Sequence, residues 1–205
     1  LQKPVSRAGG TWTTAFKPQK NMNQFKHLAQ VALGLAMALL GPHTTLAATD
    51  PGPTLQGQVV RVSDGDTVIL QTQDSTIKIR LAGIDAPETK MPHGPQAKAH
   101  LAALVLGKQV QAIAQKKDRY GRTIATLMLN TKDVNLAMVQ AGMAWHYKQY
   151  ERGQTEDQAA SYSESEQLAQ STRRGLWSQP DAVPPWAWRQ AQTHSRAQKR
   201  WAWTP

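Results

Sequence analysis

The sequence predicts an α+β fold, mainly β, between residues 55 and 178. Two observations lead to this prediction. Five short segments are rich in β-branched residues, and Ala-rich segments with helix stop signals follow the third and the fifth of them. The whole chain has 205 residues, which favours one domain with extensions or at most two small domains.

Three strands are predicted first, over residues 55–62, 67–72 and 76–81. Asp64 and Gly65 supply turn chemistry between the first two strands. The third strand alternates apolar and polar side chains, which is the period of a strand buried on one face. These segments therefore predict a three-stranded meander.

The remaining elements are a helix over residues 96–106, strands over 108–114 and 123–129, and helices over 133–141 and 156–174. In the last helix Ser163 and Glu166 have capping-box spacing, although Ser163 fits a mid-helix position equally well. Five strands with helices after the third and the fifth suggest a five-stranded Greek-key barrel of the OB type, with about three α-helices. The pattern alone predicts an α+β fold, and the barrel depends on the motifs described below.

The first 54 residues have the organisation of an exported precursor. Residues 22–48 combine a basic start, an apolar run over 28–40 and a small-residue end, so a signal peptide is expected there. We expect residues 1–21 to be a disordered extension and residues 49–54 a linker. The location expected is secreted or periplasmic. The alternative to a signal peptide at residues 22–48 is a buried or amphipathic N-terminal helix, or an uncleaved membrane anchor.

Residues 179–205 form a tail in which prolines, tryptophans and cations alternate. Such a mixture can stack on bases and bind phosphates. The alternative is packing on the domain, and we expect packing for Trp186 and Trp188 because exposed paired tryptophans are costly. For residues 190–205 we expect disorder.

Composition narrows the classes of function. The formal net charge is +10, which favours a polyanionic partner, but five of the cations precede residue 50. The chain contains no cysteine, so a disulfide framework, a Cys-ligated zinc site and a thiol nucleophile are excluded. The histidines lack metal-ligand spacing, and neither a G-x-S-x-G motif nor a phosphate-binding P-loop occurs.

Acidic residues and one arginine are concentrated around two strand ends. Asp64 and Asp66 lie two residues apart, so their side chains point the same way in an extended chain. Arg80 lies mid-strand, and Asp85 and Glu88 follow. A cation and two carboxylates at one strand end are costly unless a metal and a substrate complete the site. The alternative is a surface ion-pair cluster.

Two further segments combine cations with aromatic rings. Arg119 and Arg122 flank Tyr120 at a turn, an arrangement that suits bidentate phosphate recognition or a solvated hairpin. Tyr147 and Lys148 follow Trp145, for which core packing is expected.

The order of these motifs resembles the staphylococcal nuclease (thermonuclease) family over residues 56–177. The motifs are Asp-Gly-Asp-Thr at 64–67, Arg-Leu-x-Gly-Ile-Asp-x-Pro-Glu-Thr at 80–89, and Asp-Arg-Tyr-Gly-Arg at 118–122. The resemblance implies an OB-type barrel and a calcium-dependent endonuclease that hydrolyses DNA and/or RNA to 3′-phosphate products. It also implies a monomer with no stable membrane association once the signal peptide is removed.

The resemblance assigns roles to individual acids. Asp66 and Asp85 match carboxylate ligands to Ca²⁺, and the carbonyl of Ala86 matches a backbone ligand. Asp64 matches an acid just beyond the direct ligands, and Glu88 matches the proposed general base.

It also assigns roles to the cations. Arg80 and Arg122 match the two phosphate-binding arginines, Tyr120 matches a residue near the terminal phosphate, and Arg119 replaces a Lys of some relatives. The predicted substrate-binding set consists of Arg119, Tyr120, Tyr147 and Lys148. The loop at 90–96 is shorter than in the family, which affects loop closure but removes no matched residue.

The rival interpretation is an OB-fold nucleic-acid-binding module without catalysis. Relatives that have lost catalysis should lack members of the acid and arginine set. Here Asp66, Asp85, Glu88, Arg80 and Arg122 are all present, which favours an enzyme.

Overall fold

The computed structural model describes residues 52–201, except for the side chains of 150–152 and 196–201. The predicted extension (1–21), the predicted signal peptide (22–48) and the first part of the predicted linker lie outside the described residues. Among the described residues no helix is both long and apolar enough to cross a membrane.

The described strands are β1 (Thr54–Asp64), β2 (Thr67–Gln71), β3 (Thr76–Leu81), β4 (Ile84–Asp85), β5 (Gln109–Lys117), β6 (Thr123–Leu129), β7 (Lys132–Asp133) and β8 (Trp145–His146). The described helices are α1 (Gly94–Val105), α2 (Val134–Gln140), α3 (Glu156–Ser171) and α4 (Pro185–Trp201). Short 3-10 helices occupy Lys148–Gly153 and Gly175–Ser178.

The five long strands close into a barrel. Their order is β3-β2-β1-β5-β6, with antiparallel neighbours, and a parallel pairing between β3 and β6 closes the ring. β1 pairs with two strands: its first half pairs with β5 and its second half pairs with β2. The prediction of an α+β fold with an OB-type barrel is confirmed.

A bulge lets β1 bend between its two partners. The register with β2 shifts between Val59 and Arg61, where Val60 is the extra residue. Val59 and Val62 are therefore both buried, although they are three positions apart, while Val60 is exposed. The hydrophobic core contains aliphatic side chains from the strands and from the helices α1 and α2. Among them are Leu70, Ile79, Leu81, Leu101, Leu127 and Met138.

The structure decides one open alternative about the helices and contradicts one expectation. The capping box of α3 is formed by Thr155 and Gln158, each side chain accepting from the other residue's backbone N–H, and not by Ser163 and Glu166. Glu166 lies inside the helix and accepts a hydrogen bond from the backbone of His146. The contradicted expectation is disorder from residue 190 onward, because α4 continues to Trp201; residues 202–205 lie outside the described residues.

A buried asparagine joins the segment after β3 to β6 and α2. Asn135 is fully buried; its amide nitrogen donates to the carbonyls of Ala82 and Ala125, and its carbonyl accepts from the N–H of Leu127. These bonds fix the start of the segment that leads to Asp85.

We expect Asn135→Ala to lower the free energy of unfolding by about 3 kcal/mol, because it removes the side-chain hydrogen bonds to the Leu127 N–H and the Ala82 carbonyl in the protein interior. Urea denaturation of the purified protein measures the effect. Gln140→Ala, at an exposed position of the same helix, is the control and should change stability by less than about 0.5 kcal/mol. Equal stability of the two variants would contradict a supporting role for Asn135.

Candidate active site

A cleft with a volume of about 1120 Å³ lies beside the barrel. Its walls come from the β1–β2 turn, β3, β4, the β5–β6 hairpin and α4. Among the predicted site residues it is lined by Asp64, Asp66, Arg80, Asp85, Ala86, Glu88, Arg119, Tyr120, Arg122 and Tyr147. Segments distant in the sequence therefore meet at one place.

The turn between β1 and β2 holds Asp66 against the barrel. A Cβ atom at Gly65 would lie 2.7 Å from the Cβ of Ala86 and 2.8 Å from that of Ala97, so only glycine allows this packing. Asp66 is 6% exposed. Its Oδ2 accepts from the N–H of Ala86 at 2.9 Å, which places the turn beside the end of β4.

Arg80 links the two buried acids. It pairs with Thr67 in the β2–β3 register, so its side chain lies next to Asp66. Its Nη1 forms an ion pair with Asp66, and its Nη2 donates to Oδ1 of Asp85 at 2.8 Å. One guanidinium therefore compensates two carboxylates, of which Asp85 is 1% exposed.

The charge balance around Asp66 is unfavourable to its ionised form. Burial, opposed by Arg80 and reinforced by Asp64 and Asp85, raises the pKa of Asp66 to about 7. The backbone N–H of Asp66 donates to Oδ1 of Asp64 at 3.2 Å, which keeps the second acid close. An additional positive charge would favour the ionised form.

Glu88 lies at the solvent side of this acid group, with a side chain that is 37% exposed. The start of α1 packs against its backbone, because a Cβ atom at Gly94 would lie 2.0 Å from the carbonyl oxygen of Glu88. The N–H of Met91 donates to the same carbonyl at 2.7 Å. Glu88 thus has a fixed backbone and a side chain that water can reach.

The β5–β6 hairpin presents its cations to the cleft. The Nε of Arg122 donates to Oδ2 of Asp118 at 2.7 Å, while Oδ1 of Asp118 accepts from the backbone of Tyr120 and Arg122. The Tyr120 side chain is 68% exposed, and the guanidinium of Arg119 lies 4.8 Å from its ring centre. An exposed ring between two guanidiniums can contact a base or a phosphate.

The structure separates the last two predicted substrate-binding residues. Tyr147 lines the cleft and stacks on Trp186, with ring centres 5.2 Å apart. Lys148 does not line this cleft among the described residues; it borders a smaller neighbouring one, and its Nζ lies 3.8 Å from Glu166. Trp145 is buried, as expected.

Sequence reasoning missed Arg189. This residue of α4 reaches into the cleft, where its Nη2 donates to Oδ2 of Asp85 at 2.7 Å and its Nη1 donates to Glu88 at 2.8 Å. The available signal was the basic character of the tail, but the expected disorder beyond residue 189 concealed the helix that carries it.

The donor set fits a hard cation such as Ca²⁺. Asp66 and Asp85 offer carboxylate oxygens, Ala86 can add a backbone oxygen, and hard cations prefer oxygen ligands. Burial raises the pKa of Asp66, so a cation placed beside it would favour the ionised form that binds a metal. No group of three or more His, Asp or Glu within residues 52–201 could hold a metal alone, so backbone oxygens and water would have to complete the ligand shell.

Comparison with known proteins gives consistent matches. The family model described as "Staphylococcal nuclease homologue" matches residues 78–179. The chain is 37% identical to "Micrococcal nuclease" of Shigella flexneri over 169 residues, 78% of this chain and 95% of the relative. It is 35% identical to "Protein ParB" of Escherichia coli over 82% of this chain and 95% of the relative.

A further relative, an "Uncharacterized endonuclease" of Escherichia coli O157:H7, is 40% identical over 66% of this chain and 85% of its own length. The family model spans the chain from β3 to just beyond the end of α3, the part that carries Arg80, Asp85, Glu88 and Arg122. The chain therefore belongs to the staphylococcal nuclease family.

Proposed function

We propose that this chain, a phosphodiester-hydrolysing nuclease, uses Ca²⁺ to cleave DNA and/or RNA and leaves 3′-phosphate ends. The observation that carries the proposal is the convergence of Asp66, Asp85 and Glu88 with Arg80 and Arg122 around one open cleft. Acids for a cation, a carboxylate for a proton and guanidiniums for a phosphate are the groups that this hydrolysis needs.

Asp66, Asp85 and the carbonyl of Ala86 would hold the cation. When bound, Ca²⁺ would supply positive charge against the negative charge that develops on the phosphate, and would favour ionisation of a nearby water. The buried position of both carboxylates keeps their oxygens in place and strengthens their attraction for a cation.

Glu88 is the proposed general base. Its exposed carboxylate takes a proton from the attacking water, whose oxygen forms the new bond to phosphorus. The bond from phosphorus to the 5′-oxygen breaks, and that oxygen takes up a proton from solvent. The products are a 3′-phosphate end and a 5′-hydroxyl end.

Arg80 and Arg122 are proposed to bind the phosphate oxygens. Guanidinium groups donate two parallel hydrogen bonds to a phosphate, and these bonds strengthen as negative charge accumulates in the transition state. The contact between Arg122 and Asp118 orients the guanidinium before substrate arrives. Tyr120 and Arg119 extend this surface along the nucleic-acid strand.

The site of action is proposed to be the periplasm or the medium, with a monomeric enzyme that has no stable membrane association after signal-peptide removal. The support is the sequence pattern of residues 22–48. N-terminal sequencing of the product recovered from an expressing cell tests this proposal. A product that retains residues 28–40 in the membrane fraction would contradict it.

Removal of the metal should abolish cleavage. We expect the purified protein to degrade single-stranded DNA with added Ca²⁺ and to lose the activity in excess chelator, because the acids then hold no cation. Gel analysis follows cleavage, and end-group analysis identifies 3′-phosphates. Restoring Ca²⁺ to the chelated sample is the control and should restore activity. Binding of DNA without cleavage under either condition would instead indicate a silent binding module.

A further inference from the structure

The C-terminal helix enters the candidate active site. Arg189 lies one turn into α4, and its side chain, 41% exposed, contacts both Asp85 and Glu88. The two acids surround the guanidinium and raise its pKa, outweighing the opposite effect of burial. These contacts span more than 100 residues of sequence, so they require α4 to be docked.

Aromatic packing docks the start of α4. Pro185 is buried, and Trp186 stacks on Tyr147 and meets the edge of Trp145 with ring centres 6.4 Å apart. Further along the helix, Thr193 and His194 line the cleft. The helix is thus anchored beside the acids and forms one wall of the cleft.

Arginine side chains already engage the oxygens that a cation needs. Oδ1 of Asp85 accepts from Arg80 at 2.8 Å and from Arg189 at 3.3 Å, and Oδ2 accepts from Arg189 at 2.7 Å. A cation that binds Asp85 competes for these lone pairs and repels the neighbouring guanidinium. Glu88 is held at the same time, so the proposed base is engaged by the same side chain.

We propose that α4 is an autoinhibitory latch, in which Arg189 occupies the carboxylates of Asp85 and Glu88 and competes with Ca²⁺. The inference rests on the proposed calcium site. Binding free energies are reciprocal, so Ca²⁺ weakens the docking of α4 to the same extent that docked α4 weakens Ca²⁺ binding. The enzyme is therefore held inactive at low calcium and is released as calcium rises.

Isothermal titration calorimetry with Ca²⁺ tests the latch on the full chain and on Arg189→Gln. The variant should bind Ca²⁺ on the order of 10- to 100-fold more tightly, a typical range for coupling between two binding events. Arg61→Gln removes the same charge at an exposed position of β1 that does not line the cleft, and its affinity should equal that of the wild type.

Hydrogen exchange adds a readout that a general charge effect does not change. In the wild type, saturating Ca²⁺ should accelerate amide exchange in residues 186–201, because the helix loses its arginine contact. In Arg189→Gln the same amides should exchange rapidly with or without Ca²⁺.

Cleavage of single-stranded DNA by the wild type separates the possible failures. Calcium-dependent cleavage together with equal calcium affinities in the three proteins overturns the latch and leaves the proposed function standing. Weaker calcium binding by Arg189→Gln also overturns it, since Arg189 would then support the site. Absence of both calcium binding and cleavage in all three proteins overturns the latch and the calcium-dependent function together.

Discussion

Glu88→Gln is expected to lower the turnover number by about 10²- to 10⁴-fold, the usual contribution of a positioned general base. The amide keeps the shape of the side chain but cannot accept a proton from water. Because Glu88 is not among the proposed direct metal ligands, the variant should still bind calcium at least as tightly as the wild type, since the change also removes one acid that holds Arg189. Steady-state kinetics on a short fluorescent oligonucleotide gives the turnover number, and calorimetry gives the affinity.

Glu164→Gln is the matched control for this variant. Glu164 is exposed on α3 and does not line the cleft, so the same change of charge should leave turnover unaffected. A Glu88→Gln enzyme with near-wild-type turnover would show that another group accepts the proton.

Asp66→Asn should weaken calcium binding on the order of 100-fold, since calcium affinity depends on the number of charged ligands. Cleavage at low calcium should be lost with it. Calcium titration by calorimetry measures the loss. Asp74→Asn, an exposed acid between β2 and β3, is the control and should bind calcium like the wild type.

Asp66→Asn should also change the stability of the metal-free protein. The pKa of Asp66 is raised from 3.8 to about 7 in the folded protein, so the native state binds the proton more tightly than the unfolded chain. This tighter proton binding stabilises the folded protein fully below about pH 4, and the stabilisation is lost as the pH rises to about 7. In chelator at pH 8, Asp66→Asn should therefore have a higher Tm than the wild type. An equal or lower Tm would show that Arg80 compensates the carboxylate fully.

Local patterns in the sequence predicted the individual strands because each strand carries its own signal, while the barrel prediction also needed the family resemblance. Apolar alternation located β3 over the same residues that the structure has, and Pro and Gly located the helices to within a few residues. The resemblance to the nuclease family is confirmed by the relatives. Spacing alone left the role of Ser163 open, and the structure makes it a mid-helix residue, because Thr155 and Gln158 form the capping box at the start of the helix.

The acids and arginines of the candidate site were identifiable from the sequence for a different reason. Asp64, Asp66, Arg80, Asp85 and Glu88 lie within 25 residues of one another, so strand geometry and motif order restrict where they point. The sequence did not reveal the pKa shifts of these residues. The raised pKa of Asp66 depends on burial, and burial is a property of the folded barrel.

The sequence by itself determined the strands and the acid and arginine set through short-range spacing, and the order of the motifs determined the family and, through it, the barrel. The tertiary structure alone decided the position of Lys148 away from the cleft and the entry of Arg189 into it. A basic, polar tail carries no local signal for docking, and α4 is held by Trp186 on Tyr147 and by Arg189 on Asp85. Contacts between segments more than 30 residues apart arise from packing, which propensity and spacing do not specify.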